Sequence, residues 1–71
     1  MQARLPTQER QAEIVAAALR LTHDASPAQV TTGDIAAAIQ VTQGAVFKHF
    51  RSKDAIWLAA MAWVRAELLG R

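Results

Sequence analysis

Cysteine is absent from this 71-residue chain, and glycine and proline are scarce, with three and two residues. Without cysteine, a disulfide-stabilised scaffold and a cysteine-ligated zinc site are both excluded. The low glycine and proline content, with 52% hydrophobic residues, argues against collagen-like and disordered classes. The longest apolar run, residues 55–64, is about half as long as a transmembrane helix requires. Because the N-terminus also lacks an apolar stretch of the signal-peptide type, we predict one small cytoplasmic domain outside the membrane.

Sixteen alanines favour closely packed helices, so the predicted fold class is all-α. Capping residues, Pro27 and the helical spacing of apolar residues predict four helices. The predicted caps are Thr7, Thr31 with Asp34 as a capping box, Thr42 and Ser52, with Gly70 following the last helix. The predicted helices cover about 7–23, 31–40, 43–50 and 53–69.

Residues 31–50 have the apolar spacing of a helix-turn-helix. In a 20-residue unit that starts at Thr32, the fourth, fifth, eighth, tenth and fifteenth positions are Ile35, Ala36, Ile39, Val41 and Val46. All are apolar, and Ala36 at the fifth position is small, as the close crossing of two helices requires. A helix-turn-helix places its second helix in the DNA major groove. An ordinary αα-corner in a helical bundle has the same spacing and remains the alternative.

Positive charge is concentrated around the third helix. Residues 40–53 contain no aspartate or glutamate, whereas Lys48, Arg51 and Lys53 are basic and His49 can gain a proton. Such a concentration is typical of a surface that meets phosphate groups. A basic face that is simply solvated is the other interpretation.

Three segments, residues 14–19, 31–36 and 41–53, together resemble the DNA-binding domain of TetR-family regulators. The strongest part of the resemblance runs from Gly44 to Lys53: glycine, a small residue, an aliphatic and an aromatic residue, then His-Phe and Ser-Lys. The resemblance implies a homeodomain-like bundle of three helices over residues 1–52. It also implies sequence-specific binding of a palindromic operator in double-stranded DNA by a homodimer, usually a repressor.

The resemblance also implies roles for individual residues. It places four residues against base edges: Gln43, Gly44, Ala45 and Lys48. It places six against the sugar-phosphate backbone: Thr31, Thr32, Thr42, Phe47, His49 and Lys53. It places six in the core: Ile35, Ala36, Ile39, Val46, Phe50 and Ile56. The chain departs from the family pattern at Thr22, Gly33, Gln40, where a turn glycine is usual, and Phe47, where tyrosine is usual.

Residues 53–71 are predicted to form a fourth helix that begins a C-terminal domain missing from this sequence. In TetR-family proteins that domain dimerises and binds a small-molecule effector. Apolar residues occupy a wide arc of the fourth helix, so other helices should pack against it on two sides. The alternative is that its second apolar side is itself a dimer interface. In a wider alternative, the whole chain is a protein-interaction module that does not read DNA.

No set of residues in the sequence predicts catalysis, a metal site or a cofactor. His23 and His49 lie on different predicted elements with no cluster of carboxylates beside them. No base or carboxylate lies at a spacing that would activate Ser26, Thr42 or Ser52 as a nucleophile. A glycine-rich phosphate loop is also absent. Arg4 and Arg10 are predicted to be solvated or to form part of a basic arm that reaches a minor groove.

Overall fold

The computed structural model describes residues 6–69, which form four α-helices and no β-strand. The helices are α1 (Pro6–Leu21), α2 (Thr32–Ala38), α3 (Gln43–His49) and α4 (Lys53–Leu69). The predicted all-α class is therefore confirmed. Arg4 and the expected cap residue Gly70 lie outside the described residues. The N-cap prediction for Thr7 is wrong, because α1 already includes Pro6, and proline suits a first turn that needs no N–H donor.

The capping box predicted for α2 is present. The Thr31 hydroxyl oxygen accepts a hydrogen bond from the Asp34 amide at 2.9 Å, and the Asp34 carboxylate accepts one from the Thr31 amide at 3.0 Å. These two bonds satisfy backbone donors that the first turn of a helix leaves free.

The C-terminal end of α2 is a tight turn centred on Gln40. This residue has a φ of 61°, in the left-handed region that favours glycine. Around it, the Gln40 amide donates to the Ala37 carbonyl at 3.2 Å and the Val41 amide to the Ala36 carbonyl at 3.0 Å, the pattern of a Schellman motif. The left-handed backbone ends α2 at Ala38, two residues before the predicted limit.

Hydroxyl side chains also cap the next two helices, as predicted. The Thr42 hydroxyl oxygen accepts from the Ala45 amide at 3.1 Å, and the Ser52 hydroxyl oxygen accepts from the Ala55 amide at 3.2 Å. Between them, α3 ends at His49 because Phe50 has an extended backbone, with φ −135° and ψ 125°. The third helix is therefore one residue shorter than predicted.

The core lies where α1, α2, α3 and the first half of α4 meet. Its buried members are Ile14, Ala17, Ala18, Val30, Ile35, Ala36, Val46 and Ile56. Of the six predicted core residues, four are fully buried, whereas Ile39 and Phe50 are half-buried and pack against the cluster. Val30 lies in the connection between α1 and α2, and its burial was not predicted. This shared core fixes α3 relative to the other helices.

The second half of α4 extends beyond the core. Ile56 and Ala60 are buried, but every residue from 61 to 69 is exposed, including Met61 and Leu68, which are 64% and 75% exposed. Beside Trp57, an apolar groove of about 700 Å³ is lined by α4, by Leu19 of α1 and by the connection after α1. The Trp57 Nε1 is shielded from solvent and has no hydrogen-bond partner among the described residues. The exposed end of α4 is thus an apolar surface.

Candidate nucleic-acid interface

The solvent-facing side of α3 is formed by Gln43, Gly44, Phe47 and Lys48, all of them exposed. Their spacing along the chain brings them to one side of the helix, while Val46 on the opposite side is fully buried. We call these four residues the α3 face. It contains three of the four residues that the sequence placed against base edges.

Two other predicted site residues lie at the margins of the α3 face. Ala45 and His49 are half-buried, on the flank of α3 away from Gln43.

Phe47, which the family resemblance placed against the DNA backbone, lies between Gln43 and Lys48 and is 45% exposed. An exposed phenyl ring therefore occupies the middle of the face.

Gln43 also contacts the start of α2. Its Nε2 donates a hydrogen bond to the Thr32 hydroxyl oxygen at 2.9 Å. Gly33 lies next to this amide: a Cβ atom at that position would be 3.3 Å from the Gln43 Nε2. The structure thus brings Thr32 and Gln43, which are 11 residues apart in the chain, into one polar cluster.

The threonine hydroxyls that cap α2 and α3 lie on exposed residues. The Thr31 and Thr42 oxygens accept from backbone amides, and both residues are exposed. A hydroxyl that accepts one hydrogen bond can still donate its own proton. Each of these side chains can therefore donate to a phosphate oxygen while it caps its helix.

The positive charge around α3 is carried by Lys48, Arg51 and Lys53. Lys48, Arg51 and Lys53 form no ion pair with any carboxylate of residues 6–69. Lys53 is half-buried, and its Nζ donates to the Ala28 carbonyl at 3.3 Å, which leaves two of its three N–H groups for another acceptor. Uncompensated positive charge attracts phosphate.

One comparison with known proteins decides the family. The sequence model of the bacterial regulatory proteins of the tetR family matches residues 14–60, about two thirds of the chain. The chain belongs to the TetR family. No curated protein and no solved structure gives a significant match. The matched region covers the second half of α1, all of α2 and α3 and the buried half of α4, the part of a TetR-family protein that binds DNA and regulates transcription.

Membership of the TetR family favours the helix-turn-helix interpretation of residues 31–50 over an ordinary αα-corner. The family is one of regulatory proteins rather than enzymes. Among residues 6–69, no three histidine, aspartate or glutamate side chains come together as a metal site would need. No helix in that range is long and apolar enough to cross a membrane.

The sequence of this TetR-family domain does not reveal that Gly33 lies beside Gln43. The sequence marks Gly33 only as a departure from the family pattern. The structure shows that the missing side chain leaves room for the Gln43 amide. The Lys53–Ala28 hydrogen bond was also missed, because the acceptor is a backbone carbonyl 25 residues away and no residue type marks it.

Proposed function

We propose that this TetR-family domain reads a palindromic operator in double-stranded DNA. The observation that carries the proposal is the α3 face, which is exposed, is held by a buried core, and lies beside cations that form no ion pair with a carboxylate of residues 6–69. A helix presented in this way fits the major groove, where side chains can reach base edges.

Base readout is assigned to the first turn of α3 and to Lys48. The Gln43 amide has both donor and acceptor atoms, which suits an adenine edge, and the Lys48 ammonium suits the acceptors of guanine. Gly44 and Ala45 are small, so the helix can approach the base pairs closely. These four residues would supply sequence preference.

Backbone contacts are assigned to residues on both sides of α3. The hydroxyls of Thr31, Thr32 and Thr42 can donate to phosphate oxygens, and Lys53 adds a positive charge. The imidazole of His49 and the ring of Phe47 would lie against the sugar-phosphate chain. Contacts of this type fix the register of a protein on DNA and contribute affinity on every sequence.

The proposal extends to a cytoplasmic homodimeric repressor. A palindrome has two half-sites related by a two-fold axis, so two copies of residues 1–52 would bind it. We propose that residues 53–71 begin a helical domain that joins the copies and binds a small-molecule effector, which releases the repressor. The exposed apolar end of α4 supports this assignment, because it offers a surface for further helices.

Selection from random duplex DNA, followed by a salt titration on the enriched sequence, tests the function. We expect an enriched half-site or palindrome and an affinity for DNA that falls steeply as the salt concentration rises. The reason is that lysine and arginine side chains of the protein displace counterions from the DNA phosphates. Recovery of random sequences, with binding that salt leaves unchanged, would contradict the proposal.

The first prediction concerns Lys53. Lys53→Ala should weaken binding to a similar extent on all sequences and should reduce the slope of log affinity against log salt by about one. Fluorescence anisotropy at several salt concentrations measures both quantities. Arg65→Ala removes an exposed cation from the far end of α4 and should leave the slope as it is. An unchanged slope for Lys53→Ala would remove Lys53 from the phosphate contacts.

The second prediction concerns Phe47. Phe47→Tyr should strengthen binding by about 0.5–1.5 kcal/mol on all sequences, because a phenol hydroxyl would donate to a phosphate oxygen. Anisotropy titrations on the selected duplex and on single-base variants measure the change. A loss of affinity confined to one base pair would contradict the backbone assignment and would place the ring against a base edge.

A second candidate function is a helical dimerisation or protein-interaction module. The exposed apolar residues of α4 favour it, since apolar surfaces of this kind mark sites of association. Sedimentation of the chain with and without duplex DNA separates the two functions. Self-association that is insensitive to salt, with no DNA binding, would support the interaction module.

A further inference from the structure

We infer that Thr32 and Gly33 orient the Gln43 amide to read an A·T pair, so that Thr32 is a positioning residue. The inference rests on the proposed reading of base edges by Gln43 and adds a cause for its specificity. The observation is the hydrogen bond from Gln43 Nε2 to the Thr32 hydroxyl oxygen at 2.9 Å.

The direction of this hydrogen bond determines what Gln43 can offer to DNA. A glutamine amide has two N–H donors and one carbonyl acceptor. With one N–H donated to Thr32, the other N–H and the Oε1 remain. An adenine edge in the major groove presents an N7 acceptor beside an N6 amino donor, which is the complementary pair. The bound amide is therefore matched to adenine.

Gly33 supplies the space that this orientation requires. The Gln43 Nε2 lies 3.3 Å from where a Cβ of residue 33 would be, tighter than ordinary van der Waals contact. An alanine side chain there would push the amide by a few tenths of an ångström. Gly33 does not have a positive φ, so backbone conformation gives no separate reason for a glycine.

The hydrogen bond also reduces the freedom of a long side chain. Gln43 is exposed at the start of α3, where an unrestrained glutamine would populate several rotamers. Holding one of them before DNA arrives lowers the entropy lost on binding. The Thr32 hydroxyl keeps its own proton, so it can still donate to a phosphate oxygen.

Variants at Thr32 test the inference. Thr32→Val preserves the shape of the side chain but removes the acceptor, and it should reduce the preference for the A·T pair by about three- to tenfold. Thr32→Ser retains the hydroxyl and should restore most of the preference. In the Gln43→Ala background, Thr32→Val should cause no further loss of preference. Affinities for the selected duplex and for its single-base variants give these ratios.

The free protein supplies an independent measurement. The side-chain amide resonances of Gln43 should shift in Thr32→Val and stay near their original positions in Thr32→Ser. Gly33→Ala provides a variant that should fold at least as well, because alanine is the better helix former. It should raise the melting temperature and still weaken the A·T preference.

Three outcomes would decide against the inference. Thr32→Val with full A·T preference would show that the amide needs no positioning. An equal loss on every duplex would assign Thr32 to phosphate contact alone. If Gln43→Ala itself leaves the preference for every base pair unchanged, then the base reading under the proposed function fails, and the role of Thr32 in it fails as a consequence.

Discussion

Replacing Ile35 with alanine is expected to lower the free energy of unfolding by about 2–5 kcal/mol. Ile35 is fully buried in α2 and belongs to the core cluster with Ile14, Val46 and Ile56. The substitution removes apolar contacts and leaves a cavity in this cluster. A domain of this length has only about 4–11 kcal/mol of stability in total, so this one substitution should remove a large fraction of it.

Urea unfolding followed by circular dichroism measures this loss, and Leu58→Ala is the matched control. Leu58 is also a large aliphatic residue, but it is 68% exposed on α4, so its truncation should cost less than about 0.5 kcal/mol. DNA binding by Ile35→Ala should weaken on all sequences together, since α3 loses the support of α2. Equal costs for the two variants would contradict the assignment of the core to this side of the bundle.

The parts of the fold that sequence could predict are those that depend on neighbouring residues. Thr31 with Asp34, and Thr42 before α3, are caps whose partners lie three residues away, so the pattern alone reveals them. The small Ala36 between Ile35 and Ile39 likewise marks where two helices cross. Gln40 stands where the family usually has a turn glycine, and its φ of 61° is the left-handed conformation that glycine adopts most readily.

The features that sequence could not predict depend on how distant segments meet. Val30 is buried because the connection after α1 folds back over the core, and no periodic pattern exists in such a short loop. The Thr32–Gln43 hydrogen bond requires a particular crossing of α2 and α3. The position of Phe47 in the middle of the α3 face was also not apparent, because the family resemblance assigned its role without the geometry of the exposed side.

The largest effect on specificity is expected from Gln43→Ala. The variant should lose about 1–3 kcal/mol of discrimination at one base pair, which corresponds to a roughly five- to 150-fold smaller preference. The physical reason is that an amide presents a donor and an acceptor to a base edge, whereas alanine presents neither. Competition titrations with duplexes that differ at single positions of the selected half-site measure the change.

Whether Gln43→Ala weakens binding at one base pair or on all duplexes is more informative than the size of the loss. Gln8→Ala, at an exposed position of α1, removes the same chemical group outside the α3 face and should leave every preference as it was. A uniform loss for Gln43→Ala across all duplexes would indicate phosphate contact or an altered α3 rather than base reading. A loss at one base pair, with the salt slope unchanged, would separate Gln43 from Lys53, whose removal should have the opposite pattern. The two variants together would then divide the interface into a part that reads sequence and a part that supplies affinity.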